Sequence, residues 1–267
     1  MECERPYYEA SPHRPLLFYV VFGLKEQELE VSRERHRVDG FPAGLEFRFL
    51  RRGEDGASMD ALTGGAMGRV LDRQNHELYQ ALRSADTWAV LRGEPEDDTD
   101  LRYLRNAVGF IQAALEGGGA GVLDVQTLTL YSPADWETLI FAPDIEPILH
   151  TVILASPMEN GTVWLHTRGM RKFGRPDISM EGVGPSEVGK AGLVINQMIY
   201  YGALGVIFHR PAKLHTTSGE AYIVDPTLVE DYDNPDFNNA YYRVFWLMCQ
   251  QVDPEEGTEK KSKFRFY

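Results

Sequence analysis

Cysteine is almost missing. Cys3 and Cys249 are the only two in 267 residues, which excludes a disulfide framework and a cysteine-based zinc site. Cys3 is expected in a frayed N-terminus. Cys249 ends the apolar run that begins at Val244, where a buried, inert thiol is expected. Basic residues are scarce relative to acidic ones: 27 Lys and Arg against 40 Asp and Glu, a net charge of −13. That balance repels phosphate backbones and argues against a nucleic-acid partner. Long hydrophobic runs are missing too. The longest candidate, Leu16 to Leu24, is far short of a membrane span, so no membrane partner is expected. Glu2, Glu4 and Glu9 precede that run, which is not the pattern of a secretory leader. A reducing, cytoplasmic setting is the expectation.

Familiar catalytic and cofactor signals are absent as well. Gly64–Gly68 and Gly117–Gly121 are glycine-rich, but neither leads into Lys-Ser or Lys-Thr, and the second feeds a strand rather than a helix. There is no G-x-S-x-G elbow. His150, His166, His209 and His215 lack the spacing of helical ligand pairs. No cofactor and no metal are expected. Asp124, Asp135 and Glu137 have no identifiable partner and are assigned to a solvated loop.

What is present is an ordinary globular composition, 43% hydrophobic and 25% charged, sufficient for a large core. Leu16–Phe22 is apolar throughout, as in a strand buried on both faces. Leu45–Leu50 alternates apolar and charged residues, so one of its faces should meet water. Gly53–Gly56 is expected to be a charged turn before a helical pattern that runs to Arg83. Thr87–Arg92 is a strand candidate. After an acidic loop, Glu94–Asp100, in which Thr99 or Asp100 is a candidate cap, Leu101, Leu104, Val108, Ile111 and Leu115 mark an amphipathic helix that Gly117–Gly119 stops. Ala120–Asp124 and Leu128–Tyr131 are strands, and Ser132 with Pro133 opens a short helix. Pro143 and Pro147 mark a break.

Beyond it, Thr151–Leu154 and Thr162–Thr167 form a hairpin around Asn160-Gly161, and Ile178–Val183 is another strand. Ser186 is placed as the cap of a helix in which Gly189 and Gly192 allow close approach to a sheet. Gly202–Phe208 and Glu220–Val224 are strands. Asp225–Asp236 is an acidic loop, and Asp253–Lys263 a solvated tail. The expected class is α+β, with mixed or mainly antiparallel sheets and helices packed on one face. The expected units are residues 1–145, residues 146–252 and a tail over 253–267. Both halves show a strand, an amphipathic helix and a Gly-Val strand, so duplication, with one shared sheet, competes with a common supersecondary plan.

Polar chemistry concentrates in Thr162–Met180. Period-two alternation puts Trp164, His166 and Arg168 on one face, and Arg171, Lys172 and Arg175 follow a turn at Gly169. An imidazole among guanidinium groups suits an anion. The His209–Gly219 segment, with His209 and His215, follows an expected strand end and is placed opposite. The same residues admit a plain structural role, with Arg168 and Arg171 in surface ion pairs.

The segment Trp164–Ile178, with its Trp-Leu-His-Thr-x-Gly run, resembles a signature of uncharacterised bacterial domain families, and Ala120–Asp124 is similar to a segment upstream in them. The likeness spans Thr87 to Val206. It implies a bacterial intracellular α+β protein, adds weight to His166 and Arg168, and brings no activity with it. The leading expectation is a non-catalytic protein that binds a small anionic ligand or a protein partner at His166, Arg168, Arg171, Lys172, Arg175, His209 and His215. One alternative is a hydrolase or transferase acting on an anionic substrate, with His166 as acid/base, Arg168 as clamp and Asp177 orienting the imidazole. Another is an immunity- or chaperone-like protein whose acidic stretches, Glu94–Asp100 and Asp225–Asp236, engage a basic target.

Overall fold

The computed structural model describes residues 3–26, 28–215, 219, 221–233 and 239–247. Cys249 and the 253–267 tail lie outside these. The chain is α+β, with two mostly antiparallel sheets. In the first half the elements are β1 (Leu17–Phe22), α1 (Arg33–His36), β2 (Leu45–Arg51), α2 (Arg52–Thr63), α3 (Gly65–Gln74), α4 (His76–Ser84), β3 (Thr87–Gly93), α5 (Arg102–Glu116), β4 (Gly121–Asp124), β5 (Thr129–Tyr131) and α6 (Pro133–Asp135). A π-helical turn, Trp136–Phe141, continues α6. The second half holds β6 (Val152–Pro157), β7 (Val163–Arg168), β8 (Asp177–Val183), α7 (Val188–Ala203), β9 (Ala212–His215), β10 (Ala221–Asp231) and β11 (Asn239–Leu247).

The first sheet has the order β2-β3-β1-β4-β5 and every pair is antiparallel. Its central strand is β1, which is why Leu17–Phe22 has no polar face. Val20, Phe22, Trp88, Val90 and Leu123 pack against Met59, Leu71 and Leu82 from α2, α3 and α4. Leu17, Tyr19, Val21, Ala89 and Val122 face the other way, toward the Leu104, Val108 and Ile111 stripe of α5. Helices therefore cover both faces of this sheet.

The second sheet has the order β6-β7-β8-β11-β10-β9, with β8 and β11 parallel and the other pairs antiparallel. Val194, Ile195, Met198 and Ile199 of α7 pack with Leu165, Ile178, Met180, Tyr222 and Val244. That cluster is continuous with the α5 side of the first sheet, so one apolar core runs through both halves. The two sheets are separate and their strand orders differ, so the likeness between the halves does not extend to topology.

Several local expectations change. Gly53–Gly56 lies in the first turn of α2, where Asp55 accepts from the Arg51 N–H at 2.9 Å and acidic side chains suit the helix dipole. The Ser132 hydroxyl does cap α6, accepting from the Asp135 N–H at 3.1 Å. Ser186 does not cap α7, which starts after Glu187 without a side-chain cap. A methyl group at Gly189 or Gly192 would touch nothing within 4 Å; the close approach on α7 is at Gly202, against Met170.

Gly202–Phe208 is not a strand. Its carbonyls are taken by the N-terminal arm: Arg5 donates to Ala203 O at 2.9 Å, Tyr7 N to Leu204 O at 3.1 Å and Glu9 N to Gly205 O at 3.1 Å. With those groups satisfied, the segment needs no sheet partner. The same arm, expected to fray at Cys3, is tied down there by a hydrogen bond from Leu101 N to Cys3 O of 2.8 Å. Asp225–Asp231 belongs to β10, which carries a register shift between Asp225 and Val229, and part of the His209–Gly219 segment is β9.

Candidate functional site

The alternation in β7 places Trp164 and His166 together, with rings stacked at 4.0 Å and 23°. The Trp164 indole donates to Ser179 Oγ at 2.9 Å. His166 is buried, at 1% exposure, and Arg168 is half-buried. Gly169, at φ +109°, turns the chain so tightly that a Cβ would lie 2.6 Å from His150 O. The following 3₁₀ turn, Met170–Phe173, docks between the halves.

That docking decides the fate of the basic run. Lys172 is fully buried, donating to the Asp124 carboxylate and to His150 O at 2.7 Å. Burial pushes its pKa down, opposed by Asp124. Asp124, assigned to a solvated loop, is therefore a buried counter-ion at 2% exposure. Arg175 is buried too. It reaches Asp97 at 3.0 Å, Glu9 O at 2.7 Å and Gly205 O at 2.9 Å, while Arg5 binds the other oxygen of Asp97. Lys172 and Arg175 are internal ties, closed to solvent.

Arg171 points outward, pairing with Glu94 at 3.0 Å and lying 5.5 Å from the Tyr232 ring centroid. His209 pairs with Glu9 at 2.6 Å on the surface, and His215 is exposed on β9, an edge strand of the second sheet. The seven residues do not converge on one pocket.

Asp177, the candidate orienter of His166, accepts instead from Thr167 Oγ1 at 2.7 Å, Asn239 Nδ2 at 2.8 Å and Met170 N at 3.3 Å. Burial raises its pKa to about 6 despite those donors. Burial, with Lys172 and Arg105 nearby, lowers that of His150 to about 3. Four residues of the acidic stretches pair within the chain: Asp97 with Arg5 and Arg175 in the interior, and Glu94 with Arg171, Asp100 with Arg102 and Asp225 with Arg243 nearer the surface.

A cleft of about 380 Å³ opens on the end of the first sheet that α2–α4 leave uncovered; it is lined by Leu16, Gly44, Glu46, Arg48, Val90, Arg92, Gly93 and Glu94. Strand register builds it. Arg48 lies opposite Val90 and Glu46 opposite Arg92, so the two arginines are diagonal neighbours on one face. Both are exposed, and neither forms an ion pair among the described residues. The Arg92 guanidinium sits 5.0 Å from the Phe18 ring centroid. One end of the cleft is closed by backbone: Glu94 N donates to Gly44 O at 3.0 Å, and a Cβ at Gly93 would lie 2.0 Å from that same oxygen. The outward-pointing Arg171 is at the rim, through Glu94 and through its own carbonyl, which accepts from Leu16 N at 3.0 Å.

Arg48 and Arg92 were not singled out in the sequence. The charged alternation of Leu45–Leu50 marked the water-facing side of β2, but nothing local marks β3 as its neighbour. Neither this cleft nor a second one of about 460 Å³ is lined by His166. Among the described residues no helix is long and apolar enough to cross a membrane. Set against family models, curated proteins and solved structures, the chain matches none.

Proposed function

We propose that this chain is a non-catalytic binding protein for a small anionic ligand, held between Arg48 and Arg92 with Arg171 at the rim. The supporting observation is that two exposed guanidinium groups, diagonal neighbours across β2 and β3, form no ion pair among the described residues and share a cleft with the apolar Leu16 and Val90, in a chain of net charge −13. An oxyanion between them would accept forked hydrogen bonds from both. The cleft volume is in the range of small-molecule sites. Glu46 and Glu94 complete its polar lining. The low cysteine content suits a reducing compartment.

The test is thermal unfolding with citrate, succinate and inorganic phosphate, comparing wild type with Arg48→Ala/Arg92→Ala. A ligand at a hundredfold excess over Kd stabilises by about 2.7 kcal/mol. The variant carries the same general salt effect, so the difference between the two proteins is the site. Equal responses in both would sink the proposal.

A further inference from the structure

A second cleft, of about 460 Å³, lies between α1, the N-terminal arm and the start of α5. Four arginines, Arg33, Arg37, Arg102 and Arg105, line it together with the carboxylates Glu4, Asp39 and Asp100. Two are neutralised at its edge, Arg33 by Asp39 at 2.8 Å and Arg102 by Asp100 at 2.7 Å. The other two, half-buried Arg37 and buried Arg105, are also held by backbone carbonyls. Arg37 donates to Ala142 O at 3.0 Å, and Arg105 to Phe141 O at 3.1 Å, both at the end of the π-helical turn. Their guanidinium carbons lie 5.5 Å and 5.2 Å from the centroid of one ring, Phe141. Arg37 forms no ion pair among the described residues. Its backbone, at φ 56°, is left-handed and caps α1, a position that favours glycine.

We infer that this cleft is a second oxyanion site, in which Arg37 and Arg105 take a carboxylate or phosphate group of a small molecule. Pinning by backbone carbonyls and a shared aromatic ring fixes both forks before binding, so little side-chain entropy remains to be lost. Arg37 has further N–H donors beyond those its carbonyl partners occupy. The inference is independent of the Arg48–Arg92 proposal: it uses different residues on the opposite face of the first sheet's strands.

The experiment is an NMR titration of the full chain, following arginine side-chain Nε–H signals, with succinate and inorganic phosphate as probes. Binding moves the Arg37 and Arg105 signals. The stronger probe separates a carboxylate site from a phosphate site. Arg37→Gly removes the fork while suiting the left-handed backbone, so the variant should fold. Losing a charge-assisted hydrogen bond predicts an affinity drop of about tenfold or more. Arg37→Lys, which keeps the charge but not the fork, should fall between, and serves if the glycine variant does not fold. Arg48→Ala/Arg92→Ala should leave these signals responding as in wild type. The inference is overturned if neither probe shifts the Arg37 and Arg105 signals, or if Arg37→Gly titrates like wild type.

Discussion

Replacing Lys172 by Met should be among the most damaging changes available to this chain. The side chain is 0% exposed, and its partner Asp124 is 3% exposed. After the change Asp124 keeps only the Gln126 and Thr127 N–H groups, at 3.1 and 3.3 Å on one oxygen, and His150 O loses its Lys172 donor. Removing one partner of a buried pair costs about 3–5 kcal/mol. That is a large share of a total stability of about 5–15 kcal/mol. At about 2–4 °C per kcal/mol for chains of roughly this size, Tm should fall by on the order of 10 °C. Asp124→Asn should cost a similar amount, because it leaves the ammonium facing an amide. Lys172→Met/Asp124→Asn should cost less than the sum, with a coupling of about 2 kcal/mol. Urea unfolding at pH 7, followed by fluorescence and circular dichroism, gives all four corners of the cycle. A Lys172→Met cost below about 1 kcal/mol, or additivity within about 0.5 kcal/mol, would refute the buried-pair reasoning.

Other consequences follow from burial and backbone geometry. The Asp177 carboxyl, with a folded pKa of about 6 against an ordinary 3.8, stays protonated in the fold after the unfolded chain has ionised. Its contribution is therefore fully present below the unfolded value and is lost as pH rises through about 6, a change of about 3 kcal/mol. Urea midpoints from pH 4 to 7 should show that decline in wild type relative to Asp177→Asn; parallel profiles would contradict it. Gly93→Ala forces a Cβ to 2.0 Å from Gly44 O at φ +154°, and should destabilise by more than about 2 kcal/mol. Gly192→Ala, with open space around it, should stabilise α7 by about 0.5–1 kcal/mol. Scanning calorimetry distinguishes these two signs. In the binding arms, loss of oxyanion stabilisation in Arg48→Ala/Arg92→Ala and weakening of the Arg105 response in Arg37→Gly should be separable.

Most of what was legible in the sequence was local. Alternation in Leu45–Leu50, the three- and four-residue stripe of Leu101–Leu115, and Ser132-Pro133 each specify their element through neighbouring residues, so strand, helix and cap emerge without knowing the fold. The shared face of Trp164 and His166 is equally local, because strand geometry sets it. Gly202–Phe208 failed because an apolar run states only that it must be buried. The N-terminal arm, distant in sequence, supplied the hydrogen bonds a sheet would have given.

The basic run from Arg168 to Arg175 shows the limit most clearly. A lysine and an arginine in a polar turn read as ligands for an anion, yet insertion of Met170–Phe173 between the halves made Lys172 and Arg175 internal and gave them Asp124 and Asp97 as counter-ions. Conversely, Arg48 and Arg92 were unremarkable until antiparallel pairing of β2 with β3 made them neighbours. Periodicity and capping act over a few residues, and the sequence by itself determined those. Which charges are desolvated and which converge depends on contacts between distant segments, and only the tertiary structure decided that.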